Sequence, residues 1–170
     1  MPSGIDPRDH AQRARFMTIE DDIAFFERVP TLNMLGRPAL RILAIGAESR
    51  YVHEGEVLFT AGDATDCGYV IQEGSFRLEG GMKSAGEVIA GPGTLLGELA
   101  LIAETRRPAT ATAREPSTVI RISRSLFLKM LEGYPEAADI LRDQIAARAR
   151  HAVAEMTDVR AMLDTSPAPR

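Results

Sequence analysis

The sequence predicts a mainly β fold with flanking helices: an antiparallel, jelly-roll-like β-roll set between short N-terminal helices and one long C-terminal helix. Three observations predict it. Between residues 48 and 122, short apolar stretches recur between turn signals at Gly55, Gly62-Asp63, Gly74, Gly80-Gly81 and Gly91-Pro92-Gly93. On either side of that region, apolar residues return at helical spacing. From Glu136 to Ser166 neither Gly nor Pro occurs, which leaves a long helix uninterrupted.

Residues 1–17 are polar and marked by Pro and Gly, and a flexible N-terminal segment is expected there. Thr18, followed three residues on by Asp21, reads as a capping box with Asp in place of Glu or Gln. Ile19, Ile23 and Phe26 then repeat at helical spacing. The run LGRPALRILAIGAES, ending past Gly46, predicts a second short helix. Within the roll, Phe76 and Leu78 alternate with polar neighbours, as do Thr118, Ile120 and Ile122. Ser123 or Ser125 is placed to cap the helix of LFLKML, Gly133 to end it, and Pro135 suits the first turn of the next. The roll with its flanking helices therefore spans 18–134. The last helix, 135–163, is roughly 42 Å long at about 1.5 Å per residue, and a tail follows over 164–170.

Composition narrows the function classes. The chain has 170 residues, 45% of them hydrophobic and 26% charged, which suits one packed domain with an appendage. A formal net charge of −4 argues against a surface that coats nucleic acid. Cys67 is the only cysteine, so no intramolecular disulfide and no thiolate metal cluster form. No apolar run approaches the roughly 20 residues of a membrane span, and the N-terminus carries no apolar signal region. A cytoplasmic protein is expected.

The chemistry concentrates in GELALIAETRRPATA, residues 97–111. Gly97 permits close approach of the backbone to a ligand. Leu99, Ala100 and Leu101 begin a short helix whose first N–H groups lack acceptors, a natural anion site. Arg107 brings a planar fork suited to phosphate oxygens. Glu98 suits a hydroxyl beside the phosphate, such as a ribose 2′-OH, because a carboxylate accepts such a hydrogen bond. Phosphate and hydroxyl together describe a nucleotide. Arg106 is expected in solvent, since adjacent strand residues point to opposite faces. The plainer readings are that Glu98 merely complements a helix dipole, and that Arg107 pairs with Glu104 or Glu98 on the surface. His53 has no second strand histidine beside it, so no metal site is expected. His10 and His151 read as surface residues, and Cys67 as a packing residue without a histidine partner.

The same stretch resembles the phosphate-binding cassette of cyclic nucleotide-binding domains, found in bacterial catabolite activator proteins, protein kinase A regulatory subunits and cyclic nucleotide-gated channels. The resemblance runs over residues 19–150. It implies a non-enzymatic sensor with no cofactor, whose ligand is cAMP or cGMP. Glu98 would bind the ribose 2′-OH and Arg107 the cyclic phosphate. Gly97, Leu99 and Ala100 would supply backbone contacts, Val88 would lie against the base, and Arg148 on the long helix could reach the base as well. One departure stands out. The family pattern has Ala, Ser or Thr directly after the arginine, where an N–H or hydroxyl meets the phosphate. Here Pro108 offers neither, and Ala109 follows it as the last residue of the set. The competing reading is a degenerate roll that binds no nucleotide and serves as a dimerisation or docking module. A cupin-like metalloenzyme lacks its ligand set.

Ile145, Ala149, Ala152, Met156, Val159 and Leu163 repeat with spacings of four and three, a coiled-coil seam that predicts a homodimer through the last helix. Catabolite activator relatives carry a helix-turn-helix after such a helix. The chain stops at Arg170, so the expectation is a truncated regulator or a stand-alone module acting on a protein partner, with no DNA-binding domain.

Overall fold

The computed structural model describes residues 18–80 and 87–164, with side chains as far as residue 151 except at position 149. The expectations for residues 1–17, for Gly81 and for the tail from 165 lie outside the described residues. So do the seam side chains at 149, 152, 156, 159 and 163.

Local chemistry sets the helices. Helix α1, Ile19–Phe26, opens on the capping box: the Asp21 N–H donates to Thr18 Oγ1 (3.2 Å) and the Thr18 N–H donates to Asp21 Oδ2 (2.9 Å). Helix α2, Arg37–Gly46, carries Pro38 in its first turn, where its missing N–H costs nothing. Between them, residues 27–36 form a run of turns that buries Val29, Leu32 and Leu35. No sequence period announces this stretch.

The strands are β1 (Glu48–Val52), β2 (Val57–Phe59), β3 (Ala64–Thr65), β4 (Cys67–Glu73), β5 (Phe76–Glu79), β6 (Val88–Ala90), β7 (Leu95–Leu96), β8 (Thr105–Arg106), β9 (Thr110–Ala113) and β10 (Ser117–Ser123). They form two four-stranded sheets, β1-β10-β4-β7 and β2-β9-β5-β6, with a small β3-β8 ladder at one end. Every pairing is antiparallel, as the roll requires. Helix α3, Arg124–Gly133, starts on Ser123, whose Oγ accepts from the Leu126 N–H (3.2 Å). Of the two candidate caps it is Ser123, not Ser125. Helix α4 runs Pro135–Asp164.

Strand alternation builds two cores. Cys67, Tyr69 and Ile71 of β4 and Val119 of β10 face Leu58, Phe76, Ala111 and Ala113 of the opposite sheet, filling the roll. Val70, Ile120 and Ile122 point the other way, into a second core with Ile23, Phe26, Leu40, Leu43, Phe127 and Met130. One sheet is thus apolar on both faces, because helices cover its outside. Fully burying a side chain such as Phe26 or Phe127 contributes about 1.5–3 kcal/mol, so the helices are fastened to the sheet that ends at the candidate site. At the β4–β5 turn, Gly74 has φ of 85°, and a Cβ there would lie 2.8 Å from Ser117 Cα. Only glycine fits that crossing.

Candidate functional site

The β3-β8 ladder presents the arginine. Ala64 pairs with Arg106 and Thr65 with Thr105. The backbone pairing continues one residue further, with the Arg107 N–H donating to Asp63 O (2.9 Å) and the Gly62 N–H to Arg107 O (2.8 Å). Alternation then separates the two arginines. Arg106 is exposed and its Nη1 donates to Gly62 O (2.9 Å). Arg107 turns inward and is 4% exposed.

Arg107 is held by a carbonyl, a sulfur and two aromatic rings. Its Nη2 donates to Cys67 O (2.8 Å), with Cys67 Sγ at 3.4 Å. Its Cζ lies 4.2 Å from the Phe59 ring centroid and 5.4 Å from that of Tyr69, distances at which ring faces attract a cation. Burial pushes the Tyr69 phenol up, the Cys67 side chain adding to it, so this platform stays neutral. No carboxylate among the described residues pairs with Arg107, which rules out the surface ion pairs with Glu104 or Glu98 weighed above. Its Nη1 is buried without a hydrogen-bond partner among the described residues. A buried donor left unsatisfied costs about 1–3 kcal/mol, more when charged. An anion reaching Nη1 would remove that cost.

Gly97 closes over the guanidinium. It follows β7 with φ of 82° and ψ of 41°, in the left-handed region. A Cβ built there would lie 2.1 Å from Arg107 Nη1 and 3.3 Å from Cys67 O. Backbone and guanidinium therefore meet at a distance that only glycine allows. Glu98–Leu101 follows as a single 3₁₀ turn. Here one expectation is corrected. The Ala100 N–H donates to Gly97 O (3.1 Å), because i→i+3 bonding closes one residue sooner than an α-helix would. The N–H groups without an acceptor inside the turn are those of Glu98 and Leu99. Ala100 is fully buried, whereas Leu99 is 61% exposed.

Glu98 is half-buried and paired with Arg148 of α4, Nη1 to Oε1. Arg148 Nη2 also reaches Thr31 Oγ1 (3.4 Å), in the turns after α1. The long helix is therefore tied to the carboxylate rather than reaching toward a base position. Val88 sits on β6 opposite Leu78 and is half exposed. Pro108 is exposed and Ala109 half-buried, in the bend between β8 and β9.

The structure thus brings Gly97 and Arg107 into contact and links Glu98 to Arg148, while Val88 lies on a separate edge strand. Sequence reasoning missed Phe59, Tyr69, Thr31 and the acceptor role of Cys67. The period of β4, which puts Cys67 and Tyr69 on one face, was the available signal. Among the described residues no cluster of His, Cys, Asp and Glu is arranged to hold a metal, and no helix is long and apolar enough to cross a membrane.

Comparison with known proteins fits this geometry. Residues 49–134 match the family model described as the cyclic nucleotide-binding domain. A solved structure of a cyclic nucleotide-binding-like protein from Brucella abortus is 41% identical, with a TM-score of 0.58, covering 66% of this chain and 98% of that one. The cyclic AMP receptor protein of Thermus thermophilus is 30% identical over 112 residues, covering 64% of this chain and 52% of its own length. Lysophospholipase NTE1 of Chaetomium globosum is 29% identical over 139 residues, 79% of this chain but only 9% of that enzyme. The chain thus matches a small part of its enzyme relative.

Proposed function

The chain belongs to the cyclic nucleotide-binding domain family, and from that membership we propose that it binds cAMP or cGMP as a regulatory module without chemistry of its own. Arg107 takes the cyclic phosphate, helped by the Gly97, Glu98 and Leu99 backbone, and Glu98 accepts from the ribose 2′-OH. The observation that carries this reading is the buried Arg107 with its partnerless Nη1 beneath Gly97. A phosphate there satisfies the orphaned donor and neutralises a cation that otherwise rests on ring faces and a carbonyl. Calorimetric titration with cAMP and with cGMP tests it, and heat from neither would leave the alternative, a non-binding dimerisation or docking roll. Pro108, which has no N–H, is the observation that favours that alternative.

In the binding reading, the output runs through α4. The ribose hydroxyl and Arg148 address the same carboxylate, so ligand occupancy and the position of the long helix are thermodynamically linked. The ligand shifts that position only as far as its affinity differs between the two arrangements. Val88 and Leu99 offer exposed apolar surface to the base.

Pro108 limits affinity in this scheme without abolishing it. A hydrogen bond to a charged group contributes about 1.5–3 kcal/mol and a neutral one about 0.5–1.5. Pro108→Ala restores an N–H and is expected to tighten binding about tenfold, equivalent to roughly 1.4 kcal/mol. Equal or weaker binding by that variant would mean that proline instead pre-sets the backbone for Arg107.

Ile145, the first residue of the α4 seam, packs against this chain's own core, so the homodimer we propose runs through the seam positions that follow it. Met156→Glu places like charges across an apolar interface and is expected to shift the protein toward monomer in light scattering, with the β-roll still folded. A wild-type chain that is monomeric at micromolar concentration would end the dimer proposal.

A further inference from the structure

Arg124 occupies the first position of α3, where a cation opposes the helix dipole. No acidic residue lies in that first turn to offset it. Its contacts explain the placement. Nε donates to Ala100 O (2.8 Å), in the 3₁₀ turn that follows Gly97, and Nη2 donates to Thr65 O, at the end of β3. The Arg124 N–H donates to Asp66 O (2.6 Å), beside that second segment. Thr65 Oγ1 in turn donates to Cys67 O (3.1 Å), the carbonyl that receives Arg107 Nη2. One guanidinium thus joins the two walls between which Arg107 is held, and it stands on a helix whose Phe127 shares a core with Leu101 and Leu141.

We propose that Arg124 is a positioning residue for anion recognition: it holds the Ala100 and Thr65 carbonyls at the separation that keeps the Arg107 guanidinium under Gly97, and so passes the position of α3 to the phosphate site. The proposal rests on the cyclic nucleotide reading for its affinity consequence, but the placement of Arg107 is observable without ligand. Lysine cannot replace Arg124 fully, because a point ammonium lacks the fork that spans two carbonyls from separate segments.

The test uses the full chain, with cAMP and cGMP as probes in calorimetry and with the Arg107 guanidinium N–H resonances observed by NMR, identified by their loss in Arg107→Lys. Arg124→Gln is expected to weaken nucleotide binding by roughly three- to thirtyfold and to shift or broaden the Arg107 resonances even in the free protein. Arg124→Lys should fall between, and it carries the test if the glutamine variant does not fold. Arg41→Gln, on the exposed side of α2 where it gives up an ion pair to Glu20, should match wild type. Unchanged affinity and unchanged Arg107 resonances in Arg124→Gln would overturn the proposal. So would weakened binding with unchanged resonances, since affinity would then have been lost by another route. If wild type binds neither nucleotide, the functional reading fails while the resonances still decide the role of Arg124.

Discussion

Arg107→Ala is expected to weaken cyclic nucleotide binding by about 2–5 kcal/mol, the usual cost of truncating one partner of a buried, hydrogen-bonded charge pair. In affinity that is roughly thirtyfold to several-thousandfold. The free protein should lose far less. Without ligand, Arg107 is a buried cation with an unsatisfied Nη1, so its removal relieves one cost while it forfeits the Cys67 hydrogen bond and the ring contacts. A large fall in affinity with a modest change in thermal unfolding is therefore the signature of a ligand-binding rather than a structural arginine. Glu98→Ala removes hydrogen bonds to a neutral hydroxyl and should cost about 1.5–3 kcal/mol. Arg106→Ala is the internal control: its side chain is exposed, and surface changes of this kind usually stay within about 0.5 kcal/mol. Calorimetry that finds cAMP and cGMP affinities unchanged in Arg107→Ala would end the assignment of this site.

Gly97→Ala is expected to have the second largest effect, through two separate mechanisms. The left-handed backbone at Gly97 costs an alanine about 1–2 kcal/mol, which should appear as lowered thermal stability. The new methyl would also stand 2.1 Å from Arg107 Nη1, closer than any contact allows. The guanidinium is the far end of a flexible side chain, whereas Cys67 O belongs to a strand, so the guanidinium is what moves. Binding should then fall by roughly tenfold to a hundredfold, about 1.4–2.7 kcal/mol, beyond what the stability loss accounts for. Full affinity in a destabilised Gly97→Ala protein would show that Arg107 can leave its position under Gly97 and still serve the phosphate.

Much of this was legible in the chain. The capping box at Thr18, Pro135 in the first turn of α4 and the glycine-bounded strands are local features. Each depends on residues within a few positions of one another, and the structure places them as read. The split between Arg106 and Arg107 was legible too, because a strand sends neighbours to opposite faces. The turns at 27–36 were not, since Val29, Leu32 and Leu35 are buried there by the helices around them and by no period of their own.

The sequence by itself determined the class of site: Gly-Glu followed by an arginine, inside a roll built from short antiparallel strands. Only the tertiary structure decided how that arginine is kept. Phe59 and Tyr69 come from opposite sheets, and they meet beneath Arg107 only because the roll closes. Arg148 finds Glu98 across fifty residues of sequence, and Arg124 joins two carbonyls that no spacing connects. Local patterns are set by backbone sterics and hydrogen-bond geometry within a turn or a strand. Partners of a buried charge are set by which faces the packed elements bring together, and that follows from the burial of apolar surface over the whole chain.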